Sequence, residues 1–183
     1  KRFTVLSTGM GPDNIDIVLN ELDALKNIDL NTREIKPQKT SLEIVRIGTS
    51  GSLQRDIPVD SFVVARRAIG FDGVLHFYRS EQTVEGFTAT AVGFYGPQGR
   101  ELRIPLADPS ANDKLEHFAY RGMRLTNYEM ETSAIYGLSA LLGHRACSTN
   151  CIVAARTEGV FSKDAHAAVE RLIAYVLDRL ARD

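Results

Sequence analysis

Apolar positions along the chain alternate between the period of a strand and that of a helix. Residues 3–7 (Phe3-Thr4-Val5-Leu6-Ser7) read as a buried strand that runs into a glycine-rich turn, Ser7-Thr8-Gly9-Met10-Gly11-Pro12-Asp13-Asn14. Beyond it Ile15, Val18, Leu19, Leu22 and Leu25 recur at the spacing of one helix face. Asp13 or Asn14 can cap that helix, predicted over residues 15–25. Residues 26–40 form a polar connection. Strands are predicted at residues 42–47 and 62–65, the second after the turn Asp56-Ile57-Pro58-Val59-Asp60. Alternation predicts another strand over residues 87–94, and residues 147–155 form an apolar strand. Two further helices are predicted. The first spans residues 129–142, with Met130, Ala134, Leu138 and Leu141 at helical spacing and Gly143 just past its end. The second spans residues 165–180, with Val169, Leu172, Ile173, Val176 and Leu180 on one face. Strands alternating with helices define an α/β domain, and ligands in such folds sit where strands end and loops begin.

Composition narrows the function more than the fold. The 183 residues suit one sizeable domain, and 44% hydrophobic with 25% charged residues is an ordinary globular balance. Twenty-two basic against 23 acidic residues leave a net charge of -1. That lacks the basic excess expected of a partner of nucleic acid or anionic membrane. No apolar run approaches the roughly 20 residues that span a bilayer. The expectation is a cytoplasmic protein without nucleic-acid or membrane partners. The chain starts at Lys1 without Met or targeting segment, and this start reads as a cut edge. Cys147 and Cys151 cannot complete a four-ligand zinc site alone and read as buried thiols, so no metal is expected. His76, His117, His144 and His166 share no spacing and are expected at the surface or its boundary. Nothing resembles a nucleophile–base motif for covalent catalysis.

Five segments have residue types suited to ligand chemistry. Arg46-Ile47-Gly48-Thr49-Ser50-Gly51 is expected at the end of a strand, where glycines let a backbone approach an anion and Arg46 and Thr49 add a planar fork and a hydroxyl. A plain glycine turn beside a salt-bridged surface arginine would share that pattern. Ser7-Thr8-Gly9-Met10-Gly11 hints at a dinucleotide loop, but Asn14 stands where a third glycine is needed. Asn127-Tyr128-Glu129-Met130-Glu131 opens the predicted helix, and two carboxylates two apart do not share a face. One of them can therefore meet a ligand while the other meets structure or solvent. Phe94-Tyr95-Gly96-Pro97-Gln98-Gly99-Arg100 is a stiff turn with an aromatic ring, an amide and a guanidinium, a set that suits a planar base edge. A hairpin turn with solvated polar residues would look the same. Arg156 follows the apolar strand directly, either reaching the same pocket or marking the strand's exit.

Taken in order, S-T-G-M-G, R-I-G-T-S-G, F-D-G-V-L-H-F, G-F-Y-G-P-Q-G-R, N-Y-E-M-E-T-S-A and I-V-A-A-R resemble the nucleoside phosphorylase family, uridine phosphorylase branch. The resemblance covers nearly the whole chain. It implies a single mixed-sheet domain flanked by helices over residues 1–183. It also implies that the family's N-terminal strand and phosphate loop are missing, with a further segment near residues 78–86. The implied reaction is reversible phosphorolysis of uridine to uracil and ribose 1-phosphate, with inorganic phosphate as co-substrate and no cofactor. Arg46 and Thr49 match phosphate binders, Met130 and Glu131 ribose binders. Gln98 and Arg100 match the readers of the uracil edge, with Phe94 beside the base and Arg156 behind the pair, and Ile152 and Val153 lining the base pocket. Arg46, Arg100 and Glu131 are the implied catalytic residues. A purine-directed relative is expected to place an acid in the strand-exit segment, which here reads Ala154-Ala155-Arg156-Thr157. A homodimer or homohexamer is implied as well. A purine nucleoside phosphorylase, a nucleosidase using water, and a non-catalytic nucleoside-binding or storage relative remain as alternatives.

Overall fold

The computed structural model describes residues 3–78 and 88–182. Helix α1 (Pro12–Asn27) is followed by a small hairpin of β1 (Ile28–Asp29) and β2 (Glu34–Ile35), then by β3 (Glu43–Ser52), β4 (Phe62–Ala65) and β5 (Ala68–Gly70). A 3-10 turn, Val74–Phe77, precedes β6 (Thr88–Thr90). A second 3-10 turn, Gly96–Gln98, leads to α2 (Ala111–Glu116), the hairpin β7 (Ala119–Tyr120) and β8 (Met123–Arg124), and then β9 (Asn127–Glu129). Helix α3 (Thr132–Leu142), β10 (Arg145–Ala155), β11 (Val160–Phe161) and α4 (Ala165–Arg182) complete the order. Seven strands form one mixed sheet in the order β11-β10-β3-β9-β6-β5, with β4 also pairing with β10. The central β10–β3 pair is parallel, whereas β3–β9 is antiparallel. The expected mixed sheet flanked by helices is therefore what the chain forms.

Alternation along β3 sorts its side chains between two apolar layers. Ile44 packs against Ile15 and Leu19 of α1 and Ala134, Ile135 and Leu138 of α3. Its neighbour Val45, with Ile47, packs against Ala168, Leu172 and Val176 of α4. Adjacent strand residues point to opposite faces, so α1 with α3 and α4 cover opposite sides of the sheet. Arg46, in phase with Ile44, belongs to the α1–α3 side. Each fully buried aliphatic side chain stabilises by about 1.5–3 kcal/mol. Gly137 lets α3 meet the Val74–Phe77 turn: a Cβ there would overlap the Leu75 side chain.

Several expectations fail for local reasons. Residues 3–7 form no strand; Phe3, Val5 and Leu6 are exposed, and no described strand pairs with them. A strand needs a neighbour for its backbone groups, which the apolar pattern alone cannot supply. Helix α1 starts earlier than predicted, and neither Asp13 nor Asn14 caps it. Gly11, at φ 100, occupies the cap, and Pro12 follows at the first helical turn. Leu25 lies 60% exposed because the helix turns it away from α3. The predicted turn at Gly48–Ser52 is instead strand: β3 runs through it, paired with β10. Only Thr88–Thr90 of the strand predicted at 87–94 forms, and Phe87 lies outside the described residues. Helix α3 begins at Thr132, so Met130 precedes it, and Leu141 is 37% exposed. Ile173 of α4 is likewise exposed beside the buried Leu172. Gly143 ends α3 with φ 77, as the sequence predicts. His144 is buried rather than superficial: its Nδ1 accepts from the Leu42 N–H at 3.3 Å, and its Nε2 stands 3.3 Å from Asp23. Apart from Tyr78, the segment near residues 78–86 lies outside the described residues. No described helix is long and apolar enough to cross a membrane.

Candidate active site

Arg46 sits in the middle of β3, not at its end. The parallel register sets Arg46 opposite Ser148 and Gly48 opposite Asn150. The Arg46 side chain runs along the strand over Gly48. Its Nη1 donates to Asn150 Oδ1 at 2.5 Å and, more weakly, to Ser148 Oγ at 3.4 Å. Nη2 donates to Glu131 Oε2 and lies 3.7 Å from Glu129 Oε2. A Cβ on Gly48 would stand 2.6 Å from the guanidinium. The glycine is thus what gives the arginine its bed.

The two carboxylates of N-Y-E-M-E divide their roles. Glu129 Oε2 accepts the N–H groups of Glu131 and Thr132 at 2.8 and 2.7 Å, and Oε1 bonds Thr90 Oγ1. It is the side chain that satisfies the first amides of α3. Glu131 leaves that cap and turns to Arg46, its Oε1 accepting the Gly11 N–H at 2.8 Å.

A bulge shapes the far end of β10. Ile152 pairs with Ser50 and Ala154 with Gly51, leaving Val153 as the extra residue. Beyond the bulge the Arg156 side chain crosses Gly51, where a Cβ would overlap its Nε. Arg156 Nη2 donates to Gln98 Oε1. Arg100 Nη1 donates to the same oxygen at 2.9 Å and to the Phe94 carbonyl at 2.5 Å, with its Cζ 3.6 Å above the Phe94 ring. Gln98 is 2% exposed, and Asn112 of α2 donates to its carbonyl at 3.3 Å. Burial first, then the charge of Arg100, pushes Arg156 down to about 10, with Tyr128 opposing. Burial also lowers Arg100. Neither guanidinium pairs with a carboxylate among the described residues. With its oxygen taken twice, Gln98 has only N–H donors left, so the side chains of Gln98, Arg100 and Arg156 offer only donors to this pole of the site.

These groups share one cleft of about 400 Å³, a normal size for a small-molecule site. Arg46, Thr49, Phe94, Gln98, Arg100, Met130, Glu131, Val153 and Arg156 all line it. Thr49 is exposed there and Met130 half-buried. Ile152 does not line it: the residue is fully buried, and its N–H and carbonyl are bonded to the Ser61 and Asp60 backbone. Sequence reasoning missed Asn150, although a polar residue inside an apolar strand was the available signal. It also missed Tyr128, a buried wall of the cleft whose hydroxyl burial raises above its usual range. The S-T-G-M-G segment, set aside as a weak dinucleotide loop, lines the Arg46 end through Ser7–Met10. Among the described residues no cluster fit to hold a metal ion occurs.

The architecture and the motifs both have relatives. The profile of the Phosphorylase superfamily matches residues 1–82. A uridine phosphorylase of Thermococcus kodakarensis is 27% identical over 190 residues, covering 88% of this chain and 61% of the relative. A DeoD-type purine nucleoside phosphorylase of Geobacillus is 28% identical over 157 residues, covering 80% of this chain and 60% of its own. The chain therefore spans about three fifths of the length of these two curated relatives. Among solved structures, a Trypanosoma brucei nucleoside phosphorylase described as showing uridine phosphorylase activity superposes with a TM-score of 0.82 at 28% identity, over 97% of this chain and 79% of that one. A uridine phosphorylase of Schistosoma mansoni shares the fold, with a TM-score of 0.70 at 24% identity, over 96% and 70%. Over residues 1–82 by profile, and over most of its length by sequence and fold, this chain is similar to nucleoside phosphorylases of the phosphorylase superfamily.

Proposed function

We propose that the protein is a nucleoside phosphorylase of the uridine type, converting uridine and inorganic phosphate reversibly into uracil and ribose 1-phosphate. The observation that carries this reading is the donor-only pole of Gln98, Arg100 and Arg156, set in the same cleft as Arg46 and Glu131. Donors without a carboxylate partner suit the carbonyl edge of an oxo base, and suit it better once the base leaves as an anion. Arg46 and Thr49 would hold phosphate, Met130 and Glu131 the ribose, and Phe94 and Val153 the faces of the base. Breaking the glycosidic bond builds positive charge on the sugar and negative charge on the base. Phosphate held by Arg46 stabilises the first and attacks it, while Arg100 and Gln98 stabilise the second. A donor aimed at developing charge in such a site is worth about 3 kcal/mol, and holding two substrates together supplies much of the remainder. The whole protein is proposed to act as a homodimer or homohexamer.

The Geobacillus relative favours a second reading, a purine nucleoside phosphorylase, at much the same identity. Against it stands the exit segment Ala154-Ala155-Arg156-Thr157, which offers no acid to protonate a purine ring. The test is base release from uridine and from inosine by the full-length protein, with and without phosphate. Uracil release that requires phosphate and exceeds inosine cleavage is expected. Faster inosine cleavage favours the purine reading. Release without phosphate makes the protein a nucleosidase, and binding without turnover makes it a nucleoside-binding relative.

A further inference from the structure

Arg46 and Glu131, the two charges assigned above to different substrates, are bonded to each other. Their side chains keep only 13% and 7% of their exposure, and both line the cleft. A buried charge stripped of its partner is strongly disfavoured. Glu129, 3.7 Å from the same Arg46 nitrogen, cannot easily take over the pairing, because its Oε2 already caps α3. Glu131 is the less committed of the two: besides Arg46 it holds a single amide, that of Gly11.

An anion that takes the Arg46 guanidinium competes with Glu131. A sugar diol that takes the Glu131 carboxylate competes with Arg46. We propose that the Arg46–Glu131 pair is an internal stand-in for both substrates, so that phosphate and nucleoside each release the group the other needs and bind with positive cooperativity. Either ligand alone leaves one charge short of its partner in the cleft; the two together satisfy both. The identity of the ligands rests on the uridine phosphorylase reading, whereas the exchange is a property of the pair. Linkage makes the effect reciprocal. It also gives Glu131 an unexpected sign: neutralising it frees Arg46, so phosphate alone binds Glu131→Gln more tightly than the wild type.

The test is titration calorimetry on the full chain. One arm uses inorganic phosphate alone. The other uses uridine with and without sulfate, an unreactive tetrahedral dianion. In Glu131→Gln the phosphate Kd is expected to fall about fivefold or more, within the usual range of coupling between sites. In the wild type, sulfate should tighten uridine binding by a similar factor, and in Glu131→Gln it should not. Phosphate affinity that is unchanged or weaker in Glu131→Gln overturns the exchange. So does uridine binding to the wild type that ignores sulfate, a result that needs no variant to fold. Tighter phosphate binding by Glu131→Gln in a protein that fails to bind uridine supports the exchange and removes the uridine reading.

Discussion

The Arg46 guanidinium lies over Gly48, on the path to Asn150, the residue that faces Gly48 across the β3–β10 pair. Any side chain at residue 48 would push the guanidinium off Asn150. Gly48→Ala is therefore expected to cost little in folding, since the far end of a flexible side chain is what must move. It should nevertheless lower kcat/KM for uridine phosphorolysis about 100-fold, the usual penalty for displacing a positioning group by an ångström. Unfolding midpoints measured beside the kinetics check both halves. A large loss of stability with intact kcat/KM would make Gly48 a packing residue only.

How much of this was legible in the sequence depends on whether a pattern is local. The stripes of α1 and α4 and the αL stop at Gly143 were readable because helix periodicity and capping are set within a few residues. Arg46 was readable as a chemical group, but its setting was not. A glycine run suggests a turn, and only the partner β10 turns Gly48–Ser52 into strand. Residues 3–7 fail in the opposite way, with a strand pattern and no described strand to pair with. The resemblance put Arg156 behind Gln98 and Arg100, but the oxygen they share was not legible, because Arg156 reaches it from beyond a bulge, 58 residues away in sequence.

That shared oxygen sets up opposite effects on stability and activity. Below pH 10 or so Arg156 stays charged although burial and Arg100 have lowered its proton affinity, so its charge costs folding free energy there. Gln98→Glu places a carboxylate between the two guanidiniums. It is expected to stabilise the fold by about 1–2 kcal/mol, as ion pairs replace the bonds of a neutral amide to two charged donors. On the proposed function the same change removes the amide donor that would face the base and repels a carbonyl, so kcat/KM for uridine should fall about 100-fold or more. Denaturant unfolding and initial rates on the same preparation decide the matter. A variant that is less stable and fully active contradicts both assignments.

Arg100→Ala tests the base pole more directly. Among the described residues the guanidinium bonds Gln98 and the Phe94 carbonyl and anchors no α-helix or strand. Loss of about 100- to 1000-fold in kcat/KM is expected, the range for removing one donor at developing charge. Unchanged kcat/KM would remove Arg100 from the base site.

Glu129→Gln separates scaffold from chemistry in the N-Y-E-M-E segment. Its carboxylate accepts two amides at the start of α3 and a hydroxyl from β6. Glutamine keeps one accepting oxygen and adds an amide beside donors. A loss of about 1–2 kcal/mol, as for a lost helix cap, is expected in urea unfolding. Affinity for phosphate should change far less than in Glu131→Gln, and comparison of the two variants checks the division between these neighbouring acids.

The two thiols respond to pH in a direction fixed by burial. Burial pushes Cys147 and Cys151 above their ordinary value of 9, and Asp60 adds to the shift at Cys151. The folded chain thus keeps the thiol proton at a pH where the unfolded chain has begun to lose it. Their contribution to stability is complete below about pH 9 and is lost as pH rises through the higher folded values. Because the thiolate is the nucleophile, native alkylation by iodoacetamide at pH 8 should be slow at both. Cys147, half-buried, should react ahead of Cys151, which is wholly buried against α4. Mass spectrometry of time points with and without denaturant reads the order directly. Equal native rates at the two positions would mean that α4 opens from the sheet faster than the reagent reacts.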